Sequence, residues 1–212
     1  MSMAVNKKDN CIVIKYRAKS KDEIMNSNIL ESLKTKYHSV IQKIIDENEP
    51  FYQFENQVHW NFFHDNNVAL VAFCDKGFNI QINILAVVKA YEELNQPLMI
   101  ELFILHEIRH LFQRFCVQDL YYNDPPKLAI PQAQQWANEF NNYIKATDNI
   151  ELYYSQSIEF DAFSFSHAVM LYKYGNVEYI IPPKFLDERT PFINVMQMWL
   201  KHFTDNKYPK GN

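Results

Sequence analysis

Residues 102–112 form an apolar run that carries two histidines four positions apart. The run contains the pattern His-Glu-x-x-His, with His106, Glu107 and His110 as its fixed members. On an α-helix, positions i and i+4 lie on one face a single turn apart, so both imidazoles can bind one metal ion. The apolar flanks predict a buried helix over residues 98–116, in which two inward-facing imidazoles need a partner. The pattern therefore predicts a zinc site inside the protein.

Glu107 is the candidate catalytic residue of this pattern. It follows His106 directly, where a carboxylate can take a proton from a metal-bound water. Arg109 also lies between the two histidines, and a charged residue at that position is unusual on a buried metal helix. The pattern predicts hydrolytic chemistry at a zinc ion, with one arginine that the buried helix must accommodate.

Two histidines do not complete a catalytic zinc site, which uses three protein ligands and leaves a fourth position for water. The sequence offers three further candidates on a helix predicted over residues 155–174, namely Glu159, Asp161 and His167. Residues two positions apart on a straight helix point about 200° apart, so Glu159 and Asp161 cannot both face one ion. Spacing alone leaves the choice of third ligand open.

The composition excludes several other functions. The 212 residues suit one domain, and the 3 glycines are too few for a phosphate-binding glycine loop. The net charge of −4, with both signs interspersed, predicts no nucleic-acid surface. Residues 1–10 lack the apolar segment of a signal peptide, and no apolar run reaches the roughly 18 residues of a membrane span. Cys11, Cys74 and Cys116 are widely spaced and odd in number, which predicts free thiols in a reducing cytoplasm.

Hydrophobic periodicity predicts an α+β fold that is mostly helical, with a small antiparallel sheet beside the metal helix. Gly77 is expected to take the positive φ of a hairpin at residues 75–77. We expect one domain, with an N-terminal region at 1–60, a metal-binding core at 68–174 and a C-terminal helical region at 177–212. The predicted strands cover residues 11–16, 68–74, 78–84 and 177–181. The predicted helices cover residues 27–47, 85–94, 98–116, 132–143, 155–174 and 185–203.

Two stretches together, residues 105–113 and 158–165, resemble the motifs of gluzincin-type metallopeptidases. The nearest resemblance is to the ImmA/IrrE-like proteins of bacteria and their phages. In that group the second motif is Glu-x-x-Ala-x-x-Phe on a helix, and its glutamate is the third zinc ligand. By position, this resemblance makes Glu159 the third ligand, with Ala162 and Phe165 as packing residues.

The resemblance also implies an activity, which is hydrolysis of a protein or peptide substrate by a zinc-activated water with Glu107 as general base. It implies that an edge strand before the metal helix, here residues 78–84, holds an extended peptide. Phe163 stands where the family usually has Asp or Asn, so we expect Asp161 to orient a ligand histidine instead. Asp161 is also the alternative third ligand. The candidate donors to the oxyanion of the reaction are Tyr153, Tyr154 and His167.

Two other functions fit the same residues. The chain could be a zinc-bearing scaffold or sensor that binds a protein or small molecule without cleaving it, since the same three ligands serve either role. It could also be a metal-free helical interaction protein in which His106 and His110 are core residues. The fourth coordination position and the metal content distinguish these functions. The sequence identifies neither the substrate nor an oligomeric state.

Overall fold

The computed structural model describes residues 27–122, 130–180, 182 and 190–210. Helices predominate and a three-stranded sheet accompanies them, so the predicted α+β class is confirmed. The predicted strand at residues 11–16 lies outside the described residues. The elements are α1 (Ser27–Asn48), β1 (His59–Phe63), β2 (Ala72–Cys74), β3 (Asn79–Asn83), α2 (Ile84–Val88), α3 (Leu98–Tyr122), α4 (Ile130–Asn141), α5 (Ile150–Ser155), α6 (Ser157–Tyr174) and α7 (Thr190–Asp205).

The sheet has the order β1-β3-β2, and it is mixed where we predicted an antiparallel one. Strand β3 pairs parallel with β1 and antiparallel with β2. The predicted edge strand at residues 78–84 is therefore the central strand, and this prediction was wrong. Strand β1 lacks the alternation that marks a strand in the sequence, yet it covers the far side of β3. The edge beside the metal helix belongs to β2.

The turn between β2 and β3 differs from its prediction in one residue. Ile80 and Ile82 are fully buried, as the alternation of this strand predicts. However, Phe78 takes the positive φ, at 63°, and Gly77 does not. Asp75 closes the turn, because its carboxylate accepts from the Gly77 N–H and its carbonyl accepts from the Phe78 N–H. The residue with positive φ is thus Phe78, one position after the predicted Gly77.

Helix α3 lies between two packing layers, as its apolar sequence predicts. Ile104 and Ile108 pack with the sheet and α1, whereas Leu102 and Leu105 pack with α6 and α7. The helix runs to Tyr122, beyond the predicted end at residue 116. Across the described ranges no helix combines the length and the apolarity needed to span a membrane.

Several helices and strands begin or end at residues other than those predicted. The predicted helix at 85–94 is α2 followed by a π-helix over Lys89–Glu93, and the predicted helix at 155–174 becomes α6, preceded by the separate helix α5. Helix α6 ends at Tyr174, and Gly175 follows it with a positive φ of 69°. Its ψ of −156° lies outside the left-handed helical region, so the αL cap predicted there is not formed. Of the predicted strand at 177–181, the described residues 177–180 form a turn instead. Helix α7 begins at Thr190 with Pro191 in its first turn, while residues 185–189 of the predicted helix lie outside the described residues.

A buried ion pair joins α3 to α6. The Lys173 ammonium contacts the Glu101 carboxylate, and both side chains are almost fully buried. Asn48 at the end of α1 donates to Glu101 and accepts from Lys173, while Tyr174 donates to the second oxygen of Glu101. Each charge is therefore both paired and hydrogen-bonded, which buried charges require.

We predict that Lys173→Met lowers the free energy of unfolding by about 3 kcal/mol or more, because it leaves a buried carboxylate without its cation. Urea denaturation followed by circular dichroism measures the loss. The double variant Glu101→Leu/Lys173→Met should recover part of it, since both charges are then removed. Lys201→Met breaks an exposed pair with Asp205 and should change stability little. Equal losses in the buried and the exposed variant would contradict the argument.

Candidate metal centre

Three buried side chains from two helices meet at one point. Helix α3 supplies His106 and His110, and the first turn of α6 supplies Glu159. The two Nε2 atoms lie 3.1 Å apart. The Glu159 oxygens lie 3.3 Å from His106 Nε2 and 3.4 Å from His110 Nε2. The three residues are only 4%, 7% and 1% exposed, in the order His106, His110 and Glu159.

These separations fit one divalent metal ion. Ligand atoms about 2.0–2.1 Å from a tetrahedral zinc lie roughly 3.3 Å apart, close to the three distances observed. Glu159 Oε2 is buried and accepts no hydrogen bond within the described part of the chain. Two imidazole nitrogens and a carboxylate are also ligands that zinc accepts. Among the described residues, these are the side chains whose geometry could hold a metal.

Gln113 sets the tautomer of His110. Its amide nitrogen donates to the Ile158 carbonyl and to Asp161 Oδ2, both at 2.9 Å. Its amide oxygen therefore faces His110 Nδ1, at 2.8 Å, and accepts a hydrogen bond from the Nδ1–H group. With Nδ1 protonated, the neutral imidazole presents a lone pair on Nε2 toward Glu159 and His106. That is the tautomer a metal ligand needs.

Asp161 is not part of the ligand group. Its two oxygens accept from the Arg109 guanidinium at 2.7 and 3.1 Å, and one of them also accepts from Gln113. We expected Asp161 to contact a histidine directly, but its influence on His110 passes through Gln113. Helical geometry explains the difference, because Asp161 points away from the side of α6 that carries Glu159.

Arg109 is accommodated inside the protein by the same cluster. Besides Asp161, its guanidinium donates to Gln53 at 2.7 Å. The guanidinium carbon also lies 4.2 Å from the ring centre of Phe112 and 4.9 Å from that of Trp199. A planar cation suits both a bidentate carboxylate and aromatic faces. The arginine inside the motif is thus a buried structural group.

His106 has an apolar neighbour where His110 has a polar one. The ring of Phe163 lies 4.3 Å from the ring of His106, centre to centre. His106 Nδ1 is buried and forms no hydrogen bond with the described residues. Phe163 is the residue that replaces the usual Asp or Asn of the related motif. This replacement leaves His106 held by packing.

Glu107 is fixed by the edge of the sheet. Its Oε2 accepts from the backbone N–H of Cys74 at 2.8 Å. Burial raises the pKa of the Glu107 carboxyl, and Glu159 adds to the rise, whereas the two histidines oppose it. A carboxylate with a raised pKa beside two imidazoles suits proton transfer.

Within the described residues, strand β2 forms an outer edge of the sheet at this point. Val71 and Asp75 exchange backbone hydrogen bonds with β3, at 2.8 and 2.9 Å. In an antiparallel pair the intervening residues point the other way, so the backbone groups of Ala72 and Cys74 face outward. The Cys74 N–H is taken by Glu107. The edge strand that adjoins the metal centre is therefore β2, in place of the predicted segment at 78–84.

Tyr143 contacts the centre, although the sequence did not indicate it. Its hydroxyl donates to Glu159 Oε1 at 2.7 Å. We had placed it on the face of a helix, but α4 ends at Asn141 and Tyr143 lies in the connection that follows. Its ring centre is 6.3 Å from that of Tyr153. Burial and the nearby Glu159 raise the pKa of both phenols, which keeps them protonated.

The other two candidate oxyanion donors lie elsewhere. Tyr154 packs its ring against Phe163, at 5.4 Å between centres. His167 Nδ1 contacts the Phe163 carbonyl of its own helix at 2.8 Å, and its ring packs near Phe192. Burial and Glu159 both raise the pKa of Tyr153, and the effect of Glu159 places the hydroxyl of this predicted donor close to the Glu159 carboxylate.

The ligand group carries charges that a metal would compensate. Burial alone would lower the pKa of His110, but Glu159 and Glu107 outweigh it and raise it to about 9. Burial alone would raise the pKa of Glu159, but the two histidines hold it well below its usual value. Both shifts favour a proton on His110 beside the Glu159 carboxylate. A bound metal would take the place of the proton on Nε2 and leave the neutral imidazole with its hydrogen on Nδ1.

Comparisons with protein-family models, with curated proteins and with solved structures gave no match to this chain.

We predict that Gln113→Ala weakens zinc binding by about 10- to 100-fold, because His110 loses the group that orients its ring and fixes its tautomer. Competition with a chromogenic chelator measures the affinity. Gln197→Ala, an exposed change on α7, is the matched control and should bind zinc as the wild type does. Unchanged zinc affinity in the Gln113 variant would show that this hydrogen bond does not support the metal.

Proposed function

We propose that this chain is a zinc-dependent peptidase of the cytoplasm that hydrolyses a protein or peptide. The observation that carries the proposal is the joint position of four side chains. His106, His110 and Glu159 converge within bonding distance of one ion, and Glu107 lies beside them. The resemblance of the two motifs to gluzincin-type enzymes supports the same activity. The free thiol of Cys74 suits a reducing compartment.

Glu107 performs the proton transfer in this proposal. Zinc bound by the three ligands would polarise the carbonyl group of the substrate and lower the pKa of a bound water. The Cys74 N–H holds one oxygen of Glu107, so the other oxygen takes the proton of the attacking water. The same carboxyl then gives the proton to the leaving amine. Glu107 thus both accepts the proton and passes it on.

The substrate backbone lies along the outer edge of β2. The carbonyl and N–H of Ala72 and the carbonyl of Cys74 face away from β3 and would pair with an extended peptide, although Ala72 itself is only 8% exposed. Tyr143 and Tyr153 stand on the Glu159 side of the centre with protonated hydroxyls. Tyr143 would have to leave Glu159 before its single O–H could donate to the oxygen on which negative charge develops, and Tyr153 is the second candidate donor.

We predict that Glu107→Gln retains stoichiometric zinc and loses hydrolysis by about 10²–10⁴-fold, because the base is removed while the ligands remain. Cleavage of a peptide mixture from a proteome digest, followed by mass spectrometry, measures turnover and does not require an identified substrate. Elemental analysis of protein purified without a histidine tag measures zinc. Glu151→Gln, exposed at the start of α5, is the matched control. Full turnover in the Glu107 variant would rule out this mechanism.

A second candidate function is a zinc-bearing scaffold that cleaves nothing. The burial of all three ligands favours it, because structural zinc sites are closed. Cobalt substitution distinguishes the two functions. A visible spectrum that shifts when acetohydroxamate is added indicates an exchangeable fourth position and supports the peptidase. A spectrum that does not respond indicates a closed site and supports the scaffold.

A further inference from the structure

A pocket adjoins the metal centre on the same side of α3. Arg114 follows His110 by four positions, so both side chains lie on one stripe of this helix. Beyond them, α3 and α4 enclose a cavity of about 260 Å³. Arg114, Tyr121 and Phe140 contribute to its walls together with Phe78 from the turn before β3.

The pocket and the metal centre share walls. Phe140 lines the pocket, and its ring centre lies 6.3 Å from that of His110. The Arg114 guanidinium lies over Phe140, 4.3 Å from the ring centre. Arg114 also interacts with the thiol of Cys74, the residue whose backbone holds Glu107. The pocket therefore lies about one helical turn from the candidate metal ligand His110.

The positive charge of Arg114 has no acidic partner among the described residues. No carboxylate of the described ranges forms an ion pair with it, and its buried Nε atom makes no hydrogen bond there. Burial raises the pKa of the Cys74 thiol to about 12, so this neighbour stays neutral. Arg109, five positions earlier, shows the contrast, because Asp161 binds it through two hydrogen bonds.

We propose that the Arg114 pocket binds a carboxylate of the substrate, carried on an apolar stem. The guanidinium offers paired N–H groups that match a carboxylate, and the three aromatic rings suit the stem. This inference rests on the proposed peptidase function for its statement that the ligand is a substrate. The carboxylate could belong to an acidic side chain or to the C-terminus of a peptide.

The distances place the bound carboxylate near the cleaved bond. Four residues of α3 separate Arg114 from His110, which is about 6 Å along the helix axis. An extended peptide advances about 3.3 Å per residue. The pocket therefore selects a group one or two residues from the bond that lies at the metal.

The test measures binding to the zinc-loaded Glu107→Gln variant, which holds a peptide without cleaving it. The probes are alanine hexapeptides blocked at both ends with one internal glutamate, and the same peptides with glutamine. A third set has no acidic side chain and a free C-terminal carboxylate. Isothermal titration or NMR shifts measure affinity. We expect the glutamate or the free-carboxylate set to bind at least about tenfold tighter than the glutamine set.

Arg114→Gln should abolish that preference, whereas Arg114→Lys should retain part of it, because a lysine keeps the charge but not the planar fork. Lys43→Gln, an exposed change on α1, controls for the loss of one positive charge. Asn141→Asp adds a carboxylate to the exposed rim of the pocket and should weaken acidic probes even if the arginine variants fold poorly.

Each outcome decides one question. Equal affinity for glutamate, glutamine and free-carboxylate probes would overturn the proposed pocket. A preference that survives Arg114→Gln would overturn it as well, since the carboxylate then binds elsewhere, for example at zinc. A preference that depends on Arg114, together with a zinc-loaded wild type that cleaves no peptide, would support the pocket and contradict the peptidase. Cleavage by the wild type without a preference for carboxylate probes would support the peptidase and contradict the pocket.

Discussion

The register between α3 and α6 is the constraint on which the rest of the structure depends. Two buried ion pairs fix it, Glu101 with Lys173 toward one end and Arg109 with Asp161 toward the other. Sliding either helix by one turn would leave charges unpaired in the interior, which costs several kcal/mol per ion. This register places Glu159 opposite the two histidines. The candidate metal centre is therefore positioned by charged side chains that are not among its three candidate ligands.

The two histidines are held in different ways, and the difference follows from single residues. Gln113 gives His110 a hydrogen bond that fixes its tautomer, and Asp161 and Arg109 extend that network away from the metal. His106 has the ring of Phe163 against it. A hydrogen-bonded ligand keeps its orientation by directional contacts, whereas a packed ligand keeps it by shape. Each device immobilises one imidazole.

The part of the site that follows from local geometry could be predicted from the sequence. The histidine spacing on a helix fixes their relative position whatever the helix packs against. Glu159 comes from a helix that is distant in sequence. Residue spacing does not distinguish it from Asp161 as the third ligand, and the motif resemblance favours it. The contact of Tyr143 with the site was not predicted, because the apolar periodicity of the sequence continues past the end of α4. In the structure the helix stops, and the Gln156 side chain holds the backbone of Ile144 by two hydrogen bonds. Strand β1 was not predicted, because its sequence does not alternate between apolar and polar residues and its position depends on pairing with β3.

The bond between Glu107 and the Cys74 N–H also bears on self-association. An exposed sheet edge offers unpaired backbone groups to other chains, and proteins commonly block such edges. Strand β2 is only three residues long, and the side chain of Glu107 occupies one of its outward donors. A strand that extends the sheet here can therefore bond only to the N–H and carbonyl of Ala72 and to the carbonyl of Cys74. The residue proposed to move the proton thus also limits how another chain can pair with this edge.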